Sequence, residues 1–407
     1  MSTTRELLTL EQYVAEVLRL VPGPTPVEVV ALEHAHGRVL ASAVTARGQV
    51  PAFTNSAMDG YAVRWADVAD APVDLAVVGE VPAGSLHDPA VGPGQCVRIM
   101  TGAPVPGDTD TIVPVELTDG GEERVHVAAA PERGLGAHVR GAGEDLRAGD
   151  LVAEPGTTLT ARVLSSVAAA GHAEVDVRRR PVVAVAATGD ELVAPGGVLG
   201  RGQVYESNAT HLAATAREHG AEVVVAPTVR DEDALVVRAL DELAARADVV
   251  VVTGGASVGA YDVARDVLTE RAGATYRHVR VQPGKPQGWA MWQGTPVVAL
   301  PGNPVSAAIS FEVFVRPLLD ALLGRAAPPT TRAVAATGWR SPPGRRQLVP
   351  VRITQGEDLR PLATPSHRRG SASHMVTSLA GADALAEVPE ETTEVAAGDV
   401  LTIRSLA

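Results

Sequence analysis

A chain of 407 residues exceeds one ordinary domain of roughly 100–200 residues and predicts several, and 45% hydrophobic residues supply material for more than one core. A net charge of −13 with 3% aromatics excludes a broad nucleic-acid surface, which needs a basic stripe and stacking rings, so any anionic ligand must be held by local positive groups. The single cysteine, Cys96, excludes an internal disulfide and predicts a reducing, cytoplasmic compartment; residues 1–12 carry no secretory pattern, and the apolar run around Val249 to Val252 is too short to span a bilayer.

Residues 10–20 place Val14, Val17 and Leu18 at helical spacing before Pro22-Gly23-Pro24, which predicts a lone helix. From about Val44 to Asp145 the pattern turns to short β-rich runs, such as Leu75-Ala76-Val77-Val78 and Thr111-Ile112-Val113-Pro114-Val115, between Gly/Pro turns, and predicts a compact all-β insert. A second helix is expected over 161–170, and Arg178-Arg179-Arg180-Pro181 marks a boundary. Beyond it strands at 182–187, 222–229, 248–253 and 297–300 alternate with helices at 208–219, 231–246, 261–271 and 303–323, which predicts a doubly wound α/β domain. The tail from Pro328 returns to short strands with Pro/Gly turns and reads as a small β-barrel or sandwich. The boundaries expected are a helical linker domain over 1–46 and 146–180, a β-rich lobe over 47–145, the α/β domain over 181–326 and a C-terminal β domain over 327–407.

In an open α/β sheet, ligands sit beyond the carboxyl ends of the strands. Three segments fall there. Thr253-Gly254-Gly255-Ala256-Ser257-Val258-Gly259 lets backbone N–H groups approach an anion at a helix N-terminus, where a plain turn would need one glycine. In Leu300-Pro301-Gly302-Asn303-Pro304, helix capping accounts for Asn303 and Pro304 but not for Pro301-Gly302. Thr188-Gly189-Asp190-Glu191 carries two acids that are either solvated charges or ligands for a metal or a hydroxyl-rich group.

The β-rich insert adds Asn55-Ser56-Ala57-Met58-Asp59-Gly60-Tyr61-Ala62, which also reads as a β-turn at Asp59-Gly60. It adds Arg98-Ile99-Met100-Thr101-Gly102-Ala103-Pro104, and Arg140-Gly141-Ala142-Gly143-Glu144-Asp145, which also reads as an acidic hinge. Asp262 either caps a helix or joins Asp59, Asp145, Asp190 and Glu191 as an oxygen ligand for Mg²⁺. Lys285, in Pro283-Gly284-Lys285-Pro286, is the only lysine; the other basic residues are arginine. A lysine ammonium is a compact point charge where guanidinium is a planar fork, and phosphate held by a point charge is one setting that tells them apart.

These motifs, with Leu192 and Val305-Ser306-Ala307 extending two of them, resemble in order the molybdopterin molybdotransferases, bacterial MoeA and the E domain of gephyrin, from about residue 7 to the C-terminus. The resemblance implies an elongated homodimer. It also implies a reaction in which molybdate enters the dithiolene of adenylylated molybdopterin and AMP departs, with Mg²⁺ assisting. Lys285, Gly284, the glycine-rich loop of Gly254, Gly255, Ser257 and Gly259, and Pro301 to Pro304 would hold phosphate and nucleotide, with Thr188 and Gly189 at the same edge. Asp190, Glu191 and Asp262 would position metal or ribose, with Glu191 and Asp262 as metal ligands. Asp59, Thr101 and Asp145 would close the site from the partner subunit. Implied protein partners are a molybdopterin adenylyltransferase and molybdoenzyme chaperones, with neither nucleic acid nor membrane.

Some positions depart from the pattern. Gln282 stands where a second lysine is common, Val263 and Arg265 replace a tyrosine and a lysine, and Ala372 in Ser371-Ala372-Ser373-His374-Met375 replaces a glycine. Two other readings stay open: a molybdopterin adenylyltransferase, whose family is the α/β domain alone, and a non-enzymatic dimeric scaffold.

Overall fold

The computed structural model describes residues 7–256, 262–367 and 372–406. Two compact units divide the chain, one of Val29–His36 and Ser42–Val175, the other of Met1–Glu28, Gly37–Ala41 and Asp176–Ala407. In the smaller unit a five-stranded sheet runs in the order Thr111–Pro114, Gly60–Val63, Gln95–Ile99, Val73–Val81, Arg124–Val127. Alternation along the strands sends Tyr61, Val63, Cys96 and Val113 into one core and Ala62, Val97, Ile99 and Ile112 into another. Gly60 is required by packing, because a Cβ there would collide with the carbonyl oxygen of Val113. The insert is not all β: Trp65–Val68 forms one helical turn. Such a turn is too short to show a 3.6-residue period in sequence.

The larger unit opens with α1 (Leu10–Leu18), whose capping box pairs Thr9 and Gln12. The helix buries Leu10, Tyr13 and Val17, and the Tyr13 ring meets Phe314 edge-on at 4.8 Å. The central elements are β1 (Val182–Ala187), α2 (Asn208–Glu218), β2 (Glu222–Val225), α3 (Asp233–Ala244), β3 (Val249–Thr253), α4 (Val263–Ala272), β4 (Thr275–His278), β5 (Pro286–Trp292), β6 (Thr295–Leu300), α5 (Pro304–Ser310) and α6 (Arg316–Leu323). The sheet order is β2-β1-β3-β6-β5-β4, parallel through β6 and antiparallel across β5 and β4. Val183, Val185, Val249 and Val251 face α2 and α5, while Ala184, Ala186, Val250 and Val252 face α3 and α4. Both faces of β3 are therefore covered, which is why it reads as an unbroken apolar run.

The sequence marks no strand at β4 or β5, and β2 ends at Val225, short of the expected 222–229. All four β4 residues are half-buried and polar or aromatic, so no apolar run marks the edge. The single helix expected over 303–323 is interrupted by a π-turn at Phe311–Val315. That turn buries Glu312, whose carboxylate accepts from His219 Nε2 at 3.1 Å and Arg316 Nη1 at 3.0 Å.

At the C-terminus β7 (Thr331–Ala335), β8 (Arg346–Gln355), β9 (Pro361–Pro365), β10 (Ala384–Val388) and β11 (Val400–Ser405) pair in the order β8-β9-β7-β11-β10, and β10 returns to β8. The sheet closes into a barrel around Ala335, Val349, Val351, Ala386 and Ile403, which decides between barrel and sandwich. Val281–Gln282 adds to β8 in parallel, so the segment leading to Lys285 is held against the barrel.

Candidate active site

The carboxyl ends of β1, β3 and β6 converge. Thr188 N donates to Thr253 O at 3.0 Å, and Gly254 N donates to Leu300 O at 3.3 Å. Gly254 has φ +107°, and a Cβ there would lie 2.6 Å from Thr188 O, so the close approach of these turns requires glycine. A Cβ on Gly302 would stand 3.6 Å from Gly254 Cα. Asn208, read from sequence only as a helix start, bridges the two turns: Nδ2 donates to Thr253 Oγ1 at 2.9 Å and to Gly302 O at 2.8 Å. Gly255 packs on Ala264, with 3.2 Å available to a Cβ. Ser257 and Gly259 lie outside the described residues. Pro301 is buried, and Asn303 and Pro304 open α5 as expected, but the exposed Asn303 side chain makes no capping hydrogen bond.

The acids are arranged more specifically than the sequence showed. Gly189 has φ +149°, and the Glu191 carboxylate folds over it, 2.6 Å from where a Cβ would be. Asp190 Oδ1 accepts from Asp231 N at 3.2 Å and stands 3.8 Å from Arg230 Nε. Burial first, and then the charges of Asp190 and Glu191, push the Asp231 carboxyl above its usual range. Asp231 looked like an ordinary helix-start acid and was missed. Asp262 is 9% exposed and caps α4, its Oδ1 accepting from Arg265 N at 3.0 Å. Among the described residues no three His, Cys, Asp or Glu side chains form a ready-made metal cage. Asp190, Glu191 and Asp231, with Arg230 3.8 Å from Asp190, are nevertheless hard oxygen donors of the kind that Mg²⁺ takes one or two of beside water and substrate phosphate.

Lys285 sits on a clamped backbone. Gly284 has φ +94°, and a Cβ there would meet Ser310 Oγ at 2.8 Å. Buried Gln287 donates through Nε2 to Gly284 O and to Ser310 Oγ, both at 2.7 Å, and Lys285 O accepts from Val279 N at 2.8 Å. The half-buried Lys285 side chain makes no ion pair among the described residues. At Gln282 the Oε1 accepts from Arg345 Nη1 at 2.9 Å, bringing a guanidinium from the start of β8 to this position. Ser371 lies outside the described residues, while Ser373 O accepts from Val305 N at 3.0 Å and so brings the Ala372 turn to the start of α5.

In the smaller unit Asp59 Oδ1 accepts from Thr101 N at 2.6 Å and from Thr101 Oγ1 at 2.8 Å, which hold its carboxyl below the usual range. Gly102 N donates to Ser56 O at 2.8 Å, joining the two motif segments. Asp145 is exposed, its N–H donating to Val50 O at 2.9 Å. Among the described residues, a cleft of about 390 Å³ between β2 and α3 contains none of the sequence-selected groups.

Residues 8–171 match the MoeA N-terminal region (domain I and II), residues 184–321 a probable molybdopterin binding domain, and residues 332–406 the MoeA C-terminal region (domain IV). The chain is 41% identical to molybdopterin molybdenumtransferase 2 of Mycobacterium tuberculosis, covering 97% of this chain and 98% of the relative. It is 33% identical to molybdopterin molybdenumtransferase 1 of the same organism, over 98% and 99%. Among solved structures, a molybdopterin biosynthesis MoeA protein from Pyrococcus horikoshii superposes with a TM-score of 0.80 at 31% identity, covering 99% of this chain and all of that one. Matched along nearly its whole length and on both sides of the α/β domain, the chain belongs to the MoeA family.

Proposed function

We propose that this chain is a transferase of molybdenum cofactor biosynthesis that inserts molybdenum from molybdate into adenylylated molybdopterin and releases AMP. The observation that carries the reading is Lys285, the only lysine, on a turn clamped by Gln287 and Ser310 and without a carboxylate partner among the described residues. An unneutralised point charge at a glycine-rich sheet edge suits a polyanionic substrate. The glycine turn at Gly254 and Gly255 offers backbone N–H groups to phosphate, Lys285 offsets repulsion between molybdate and phosphate, and the same charge stabilises AMP as it departs. Glu191 and Asp262, with Asp190 and Asp231 beside Glu191, would hold Mg²⁺, which supplies Lewis-acid polarisation of phosphate oxygens when bound.

The proposal includes a homodimer in a cytoplasmic setting, in which Asp59, Thr101 and Asp145 of one chain complete the site of the other. It also includes delivery from an adenylyltransferase and onward transfer to molybdoenzyme chaperones. The match to MoeA regions flanking the α/β domain favours insertion over adenylylation. Purified chain given adenylylated molybdopterin and molybdate should release AMP and yield cofactor that activates an apo-molybdoenzyme. Adenylylation of molybdopterin from ATP without molybdenum transfer would favour the adenylyltransferase reading, and neither activity would favour the scaffold.

A further inference from the structure

We propose that Asn208 orients the pterin nucleotide: its Nδ2 ties the turn after β3 to the turn after β6, and its Oδ1 accepts a hydrogen bond from an O–H or N–H donor of that ligand. The inference rests on the reading of this sheet edge as the pterin-nucleotide site.

The amide orientation follows from chemistry. A peptide carbonyl oxygen can only accept, so the Asn208 atom 2.8 Å from Gly302 O must be nitrogen. The Thr253 hydroxyl has one hydrogen and gives it to Pro301 O at 3.2 Å, so it receives the second Asn208 N–H at 2.9 Å. Donation runs one way, Asn208 to Thr253 to Pro301, and both amide hydrogens are used within the protein. Thr253 is 1% exposed, so the arrangement is anchored in the sheet core. Asn208 itself is half-buried at the first position of α2, and Oδ1 has no hydrogen-bond partner among the described residues. That leaves Oδ1 as the spare acceptor of a side chain locked to the two turns that would carry phosphate. Adenylylated molybdopterin offers the complementary donors: ribose hydroxyls and the adenine amine on the nucleotide, ring N–H groups on the pterin.

Asn208→Ala, the near-isosteric Asn208→Asp and Thr253→Val should be titrated calorimetrically with AMP and with adenylylated molybdopterin, beside thermal melts. Loss of one neutral acceptor should weaken binding by Asn208→Ala about threefold to tenfold. Asn208→Asp should weaken it further, because its carboxylate would face both the Gly302 carbonyl and the ligand phosphate. Combining Thr253→Val with Asn208→Ala should cost no more than Asn208→Ala alone if the two act as one unit. Equal losses for AMP and the full substrate place the donor on the nucleotide; a loss confined to the full substrate places it on the pterin. Unchanged affinity for both ligands in both Asn208 variants, whatever the melting temperature does, overturns the proposal. Molybdenum transfer is scored separately on the wild-type chain: binding without transfer overturns the proposed reaction and leaves Asn208 standing, and a wild-type chain that binds neither ligand overturns both.

Discussion

Thr101 donates both its backbone N–H and its hydroxyl to a single carboxylate oxygen of Asp59, at 2.6 and 2.8 Å. Two donors on one oxygen favour the ionised form and hold the carboxyl below its ordinary range. A depressed folded pKa contributes stability above the unfolded value, and that contribution is lost as pH falls through the folded value. Thr101→Val removes the hydroxyl and keeps the N–H, so the Asp59 carboxyl pKa should rise part of the way back, as read by carbon NMR titration. An unmoved titration would show that the hydroxyl adds nothing.

Lys285→Arg should be nearly as damaging as Lys285→Ala. The Gly284 to Gln287 clamp leaves no backbone freedom to seat a planar fork where a point charge fits. Losing one charge-assisted phosphate contact costs about 1.5–3 kcal/mol, roughly tenfold to a hundredfold in kcat/KM. A fully active arginine variant would refute the point-charge role.

Asp262 caps α4 and, in the proposed function, also holds the metal; different substitutions separate the two. Asn is as good an N-cap as Asp, so Asp262→Asn should melt close to wild type while molybdenum insertion collapses. Asp262→Ala should lose the activity and about 1 kcal/mol of stability as well. Activity retained in Asp262→Asn, measured beside its melting curve, would reduce this residue to a cap. Glu191→Gln should follow Asp262→Asn.

Asp231 should give the opposite pH signature to Asp59. Its raised carboxyl pKa means that the protonated form is favoured in the fold, a contribution present below the unfolded pKa and lost as pH rises through the folded one. Asp231→Asn should therefore melt higher than wild type near neutral pH, with the difference vanishing in acid. Adding Mg²⁺ should raise the wild-type melting temperature more than that of the variant, since the cation offsets a repulsion the amide has already removed. Equal Mg²⁺ responses would separate Asp231 from any metal site.

A site shared between subunits predicts complementation. Mixing inactive Asp59→Asn and Lys285→Ala chains should restore activity once subunit exchange is verified with differently tagged chains, because a mixed dimer holds one intact composite site. Mixed dimers that form and stay dead would confine the site to one chain.

The sequence by itself determined the strand, turn and helix rhythm that carries Thr188, Gly254 and Pro301-Gly302 to one sheet edge, because local periodicity and glycine or proline punctuation are properties of neighbouring residues. It determined the β character of both flanking regions on the same grounds. Only the tertiary structure decided that the C-terminal strands close into a barrel, that Asn208 meets Gly302, that Asp231 sits against Asp190 and that Arg345 reaches Gln282. Those partners are 94, 41 and 63 residues apart, and no local pattern encodes a hydrogen bond across such a span. Edge strand β4 and the π-turn escaped for a related reason: a half-buried edge lacks an apolar run, and the buried Glu312 of the π-turn is paired with the distant His219 as well as with Arg316 four residues on.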